Sequence, residues 1–116
     1  MTRILRLAFW GAFVFAFVMA VLPHPPQVPG DPPDKILHIV AFAVLAALAA
    51  PAYPRTRMLW LLAGLSAFGA VIEIVQTVPS LYRDGDVVDW LADTASAATV
   101  LALVALIRAG AQRVRR

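Results

Sequence analysis

The 116-residue chain has no cysteine, one lysine and one glutamate. Without cysteine there is no disulfide, and redox chemistry gives no guide to compartment. Charged residues make up only 15% of the chain, and no internal repeat is visible. There is no dense metal motif of the H-E-x-x-H kind. What remains is apolar: 61% of residues are hydrophobic and the mean hydropathy is +0.79, well above an ordinary soluble domain.

A membrane-spanning helix needs about 20 mostly apolar residues. Four stretches meet that requirement, at about 4–22, 35–53, 58–78 and 87–107. They predict an all-α membrane protein of four transmembrane helices, with 1–116 as a single membrane domain. No length is left for a separate soluble domain. The N-terminal stretch has Arg3, Arg6 and a weak Val18-Met19-Ala20 cleavage pattern. It nevertheless exceeds a 7–15-residue signal core and reads as an uncleaved anchor.

Basic residues set the orientation. Arg3, Arg6, Arg55, Arg57, Arg108, Arg113, Arg115 and Arg116 flank one set of helix ends, and only Lys35 and Arg83 flank the other. The positive-inside rule then puts both termini in the cytoplasm, with segments 23–34 and 79–86 outside. The pI of about 10.2 therefore reflects orientation rather than nucleic-acid binding. The C-terminal arginines suit anionic lipid headgroups. Low lysine with high alanine and arginine suggests a GC-rich bacterial genome.

Carboxylates show the opposite bias. Asp31, Asp34, Glu73, Asp84, Asp86, Asp89 and Asp93 all fall in the outer half, which topology rules do not demand of Asp and Glu. Ionisable groups inside spanning segments are costly and mark functional sites by default. Helical spacing groups them: Asp34 with His38 at i,i+4, Glu73 with Gln76 at i,i+3, and Asp89, Asp93 and Ser96 along one stripe. Ser66 and Gly69 continue the face of Glu73. The economical arrangement turns the three stripes together into a polar pocket at the outer ends of helices two to four, with Arg83 above it. Asp34 and Asp86 are placed to N-cap helices two and four. The short inner turn makes helices two and three antiparallel neighbours. Small residues such as Gly64, Ala67, Gly69, Ala92 and Ala97 permit close approach of helices three and four. Helix one, rich in phenylalanine and without polar residues in its span, reads as lipid-facing and outside the packed unit.

Three chemistries fit these residues. One is a structural network in which Lys35, His38, Glu73, Gln76, Arg83, Asp89 and Asp93 pair with one another. A second is a ligand site for a phosphate-bearing lipid or glycan headgroup, contacted by Lys35, His38, Arg83 and helix N-termini. A third is a divalent-cation or acid–base site built from His38, Glu73, Asp89 and Asp93, with His38 and Glu73 as the catalytic candidates. Spacing alone does not decide between an enzyme and a binding protein, nor does it give the oligomeric state.

The pattern Asp34-Lys35-x-x-His38-x-x-x-Phe42-x-x-Leu45, then Glu73-x-x-Gln76, then Arg83-x-x-Asp86-x-x-Asp89-x-x-x-Asp93-Thr94 resembles the VanZ-like family of small bacterial integral membrane proteins, over about 34–104. The family takes its name from a glycopeptide-resistance accessory protein associated with reduced teicoplanin susceptibility. The resemblance implies an envelope membrane protein and carries Asp34, Lys35, His38, Glu73, Gln76, Arg83, Asp89 and Asp93 over as ligand-binding positions, without supplying a reaction. Two positions depart from the family pattern: Asp93 stands where asparagine is usual, adding negative charge, and Ser96 where glycine is usual, keeping a small residue. The expected function is binding of a polar lipid or a lipid-linked, phosphate-bearing cell-wall precursor at an outward-facing site, with an effect on glycopeptide susceptibility. The alternatives are a small membrane enzyme acting on such a lipid, or an oligomeric transport component. The lack of any inner-half carboxylate offers no continuous polar path and weighs against transport.

Overall fold

The computed structural model describes residues 1–23, 29–81 and 85–115. Arg83 and Asp84, expected in the second outer segment, lie outside the described residues, as do His24 and the prolines at 25 and 26. Among the described residues there are four long helices and one 3₁₀ turn: α1 (Thr2–Val21), α2 (Asp34–Ala52), α3 (Met58–Gln76), the turn Pro79–Leu81, and α4 (Val87–Arg115). All four helices are long and apolar enough to cross a membrane.

Helix α1 begins at Thr2, two residues before expectation, and the ends of α3 and α4 also differ. Helix α3 stops at Gln76, two residues early, because Pro79 disfavours helical backbone at Val78. Thr77 closes the end by donating its hydroxyl to the Ile74 carbonyl at 2.6 Å. Helix α4 runs well past 107, because Arg108 to Arg115 contains good helix formers and no proline. At about 1.5 Å per residue its 29 residues exceed the ~30 Å of a bilayer core. Asp34 is not an N-cap. Pro33 holds that position, its carbonyl accepting from the Ile36 N–H at 3.0 Å and the Leu37 N–H at 3.3 Å, which leaves Asp34 as the first helical residue.

Each helix buries one stripe. On α2 the buried residues include His38, Phe42, Leu45, Ala46 and Ala49, the i, i+4, i+7, i+8, i+11 positions of one face. On α3 they are Leu65, Phe68, Gly69, Ile72, Glu73 and Gln76, and on α4 Asp89, Asp93, Ala97 and Leu101. Every stripe is apolar along most of its length and ionisable at one end. Contacts along the stripes fix the directions. Helices α2 and α4 lie parallel, since His38 meets Asp93 at one end and Arg108 meets Ala50 at the other. They form the largest helix pair, while α3 packs chiefly on α4 and touches α2 over a smaller, antiparallel interface.

Helix α1 is not peripheral. It packs along α2 and reaches α3. Phe9 and Ala20 are buried, and Phe13 stacks on Phe68 with ring centroids 3.8 Å apart. Phe68 in turn stacks on Phe42 at 5.7 Å, so an aromatic column joins α1, α3 and α2. It is still the least buried of the four helices, with Ile4, Leu7, Trp10, Val14, Phe15 and Val18 exposed, so the expected lipid-facing side is present while the helix itself belongs to the packed unit. The small residues also divide differently from expectation. A Cβ at Gly64 would meet nothing, whereas one at Gly69 would lie 3.3 Å from Trp90, 3.4 Å from Phe42 and 3.5 Å from Asp93. Gly69 is the point of close approach.

The two ends of the bundle have opposite chemistry. At the basic end, prolines disturb the finish of α2. Pro54 has no N–H to offer the Ala50 carbonyl, and Arg108 Nη2 supplies the missing donor at 3.1 Å. Arg6 Nε donates to the Ala52 carbonyl at 2.9 Å while its guanidinium lies 4.6 Å over the Tyr53 ring. Two cations thus sit on the carbonyl end of one helix, where the macrodipole favours them.

Candidate functional site

At the opposite end the ionisable tips of three buried stripes meet. His38 comes from the first turns of α2, Glu73 from the last turn of α3 and Asp93 from the second turn of α4. One donor atom from each lies within 4.8 Å of the other two. His38 Nδ1 is 3.2 Å from Asp93 Oδ2 and 3.8 Å from Glu73 Oε1. Asp93 is fully buried, and His38 and Glu73 are 7% and 8% exposed.

Two members of this floor, His38 and Glu73, are held by their other atom. His38 Nε2 faces Asp34 Oδ2 at 3.4 Å, one turn back along α2. Glu73 Oε2 accepts the backbone N–H of Asp86 at 2.8 Å. Asp86 caps α4, its Oδ1 accepting the Val88 N–H at 2.9 Å, as its position in the sequence leads one to expect. Gly85 makes this join feasible, since a Cβ there would stand 2.6 Å from the Glu73 carbonyl oxygen. Around the floor stands a partly open rim. Asp34 and Lys35 have side chains about half exposed, and Lys35 Nζ lies 3.9 Å from Asp89 Oδ1.

Three interhelical hydrogen bonds below the cluster set the rotation of the helices. Trp90 Nε1 donates to the Ser66 carbonyl at 3.0 Å, Ser66 and Thr94 hydroxyls pair at 3.0 Å, and Ser96 donates to the Ile39 carbonyl at 2.7 Å. Trp90 was not foreseen as a positioning residue. Its signal in the sequence is the i,i+4 spacing to Thr94, which turns a second polar stripe of α4 toward α3.

The structure thus gathers Asp34, His38, Glu73 and Asp93 into one group and sets Asp89 and Lys35 beside it as a pair. Gln76 takes another role. Helix α1 ends at Val21, and Gln76 Nε2 donates to the carbonyl of Ala20, in its last turn, at 2.8 Å. Its amide nitrogen therefore ties α3 to α1. Arg83 lies outside the described residues.

Two carboxylate oxygens of the cluster, Glu73 Oε1 and Asp93 Oδ1, are buried without a hydrogen-bond partner among the described residues. Buried charge of this kind demands compensation. With Nδ1 protonated, His38 can donate to Asp93. With Nδ1 bare, it is a nitrogen ligand beside two oxygen ligands. The buried ionisable groups among the described residues are three carboxylates and one imidazole, a set that favours a positively charged occupant over a bare anion. In comparisons with protein-family models, curated proteins and solved structures, nothing matches this chain.

Proposed function

We propose that this chain is a VanZ-like, multi-pass protein of the bacterial inner membrane, with both termini cytoplasmic and the polar cluster facing outward. In this reading it binds the polar headgroup of an envelope lipid or lipid-linked cell-wall precursor and thereby alters glycopeptide susceptibility. The observation that carries it is the meeting of His38, Glu73 and Asp93 within 4.8 Å at one end of the bundle, beneath the half-exposed Asp34 and Lys35. Charged groups are too costly at membrane depth to be kept there idly. The arginine-rich opposite end supports the orientation. The family assignment rests on the residue spacing quoted above.

A second reading, a small membrane enzyme, draws support from the flanking of His38 by Asp34 and Asp93. Carboxylates that fix an imidazole tautomer are a common feature of general bases. The test is complementation of a strain lacking the protein with wild type, Glu73→Gln and His38→Gln at matched membrane abundance. A binding site predicts that wild type shifts teicoplanin susceptibility and that both variants lose most, but not all, of the shift. An enzyme loses nearly all of it, since acid–base groups typically contribute 10²–10⁴-fold in rate. Normal behaviour of both variants would remove the functional reading of the cluster.

A further inference from the structure

We propose that His38 Nδ1, Glu73 Oε1 and the Asp93 carboxylate hold one divalent metal ion of the Zn²⁺ or Mn²⁺ class. The inference deepens the headgroup-site reading: an ion bound here gives a carboxylate-lined site the means to accept a phosphate.

Geometry is the first argument. Donors bonded to one ion at about 2.0–2.3 Å stand roughly 3–4.5 Å apart. The distances here are 3.2 Å from His38 Nδ1 to Asp93, 3.8 Å from His38 Nδ1 to Glu73 Oε1, and at most 4.8 Å for the remaining pair. The donors come from three helices and sit on buried stripes, so their separations are fixed by packing. One nitrogen and two carboxylates suit a borderline divalent ion and leave coordination positions for water or a phosphate oxygen.

The second argument is independent of the cluster's acidity. Glu73 Oε1 and Asp93 Oδ1 have no hydrogen-bond partner among the described residues, on residues more than nine-tenths buried. Glu73 Oε1 is directed at His38 Nδ1. A protonated imidazole at Nδ1 satisfies one neighbour through Asp93 Oδ2 and leaves these two oxygens as they are. An ion takes both.

The third argument is the shell around the donors. Metal-bound histidines present their other nitrogen to a carboxylate or carbonyl, and ligating carboxylates are themselves hydrogen-bonded. His38 Nε2 faces Asp34 at 3.4 Å, which favours the tautomer with a bare Nδ1. Glu73 Oε2 is held by the Asp86 N–H, so the carboxylate presents Oε1 to the cluster. Two neutralising charges on the ion would balance Glu73 and Asp93, while Lys35 remains for Asp89.

The experiment uses the full chain, purified with chelator, reconstituted in nanodiscs and titrated with Zn²⁺ by calorimetry and with Mn²⁺ by electron paramagnetic resonance. Wild type is expected to bind one ion per chain and to melt at higher temperature with Zn²⁺, the rise being abolished by chelator. Glu73→Gln, Asp93→Asn and His38→Gln should each weaken binding more than tenfold. Asp34→Asn, which neutralises the outer partner of His38, should weaken it about 10–100-fold. Asp31→Asn, at an exposed position outside the donor group, should bind as wild type does. Absence of saturable binding, or binding untouched by the Glu73 and Asp34 changes, overturns the metal site. Because Asp34→Asn leaves all three donors in place, it keeps the inference testable if a donor variant fails to fold. The two readings fail separately: an ion bound at these residues with no susceptibility phenotype sinks the envelope role alone, and a phenotype that needs Glu73 and His38 without ion binding sinks the metal alone.

Discussion

The backbone N–H of Asp86 donates to Glu73 Oε2 at 2.8 Å, so one carboxylate both fastens the start of α4 to the end of α3 and holds its other oxygen 3.8 Å from His38. Stability and site chemistry are therefore separable at Glu73. In Glu73→Gln the side-chain carbonyl can still accept the Asp86 N–H; in Glu73→Ala nothing can. The alanine variant should lose roughly 1 kcal/mol more than the glutamine variant, the weight of a neutral hydrogen bond that glutamine keeps and alanine cannot make. Thermal melts in detergent measure this difference. Equal melting temperatures would show that the Oε2 bond contributes nothing to the join.

Gly69 and Gly64 make a matched pair on α3. A methyl at Gly69 meets Trp90, Phe42 and Asp93 at 3.3–3.5 Å, all of them packed side chains. Gly69→Ala should cost about 1–3 kcal/mol by overpacking. Gly64 faces open space, so Gly64→Ala should gain about 0.5–1 kcal/mol of helix propensity. Opposite signs in the two melts are expected; equal signs would contradict the placement of α3 against α4.

Arg108→Met keeps an apolar stem and removes the donor to the Ala50 carbonyl. Pro54 cannot replace that donor. A loss of about 1–3 kcal/mol is expected, with the loosening confined to the end of α2 where Arg6 also binds. Hydrogen exchange should show faster opening near Tyr53 and unchanged protection near Phe42. Uniform destabilisation along α2 would argue that Arg108 has no local role.

Topology is tested by reporter fusions at Gly30 and after Arg116. The arginine bias predicts a cytoplasmic signal from the C-terminal fusion and an extracytoplasmic one from Gly30. The reverse pattern would turn the polar cluster toward the cytoplasm and remove the envelope-headgroup reading.

Much of the bundle was legible in the sequence because the signals are local. Apolar run length gives four helices, and the separation of arginines from carboxylates marks two chemically different ends. The 3.6-residue period puts Asp34 with His38 and Asp89 with Asp93 on common faces. Proline also acts locally, at Pro33 where α2 begins and at Pro79 where α3 has ended.

Which stripe meets which is a different kind of question. Glu73 and Gln76 share a face of α3, yet one reaches His38 and the other the Ala20 carbonyl of α1. Nothing in α3 alone states that the last turn of α1 lies there. Gly64 and Gly69 are equally small, and only the helix against Gly69 makes it a contact. Asp93 and Asp89 lie one turn apart on α4, but the deeper one faces His38 while the shallower one meets Lys35 at the rim. These choices depend on the rotation and depth of each helix relative to the others. Packing of Phe42, Phe68 and Phe13 and the hydrogen bonds of Trp90 and Ser96 set that rotation. The sequence by itself placed the polar groups at one level, since hydropathy and helical period are properties of each segment. Tertiary structure alone decided that His38, Glu73 and Asp93 share one small space, because that depends on how far three separate helices turn toward a common axis.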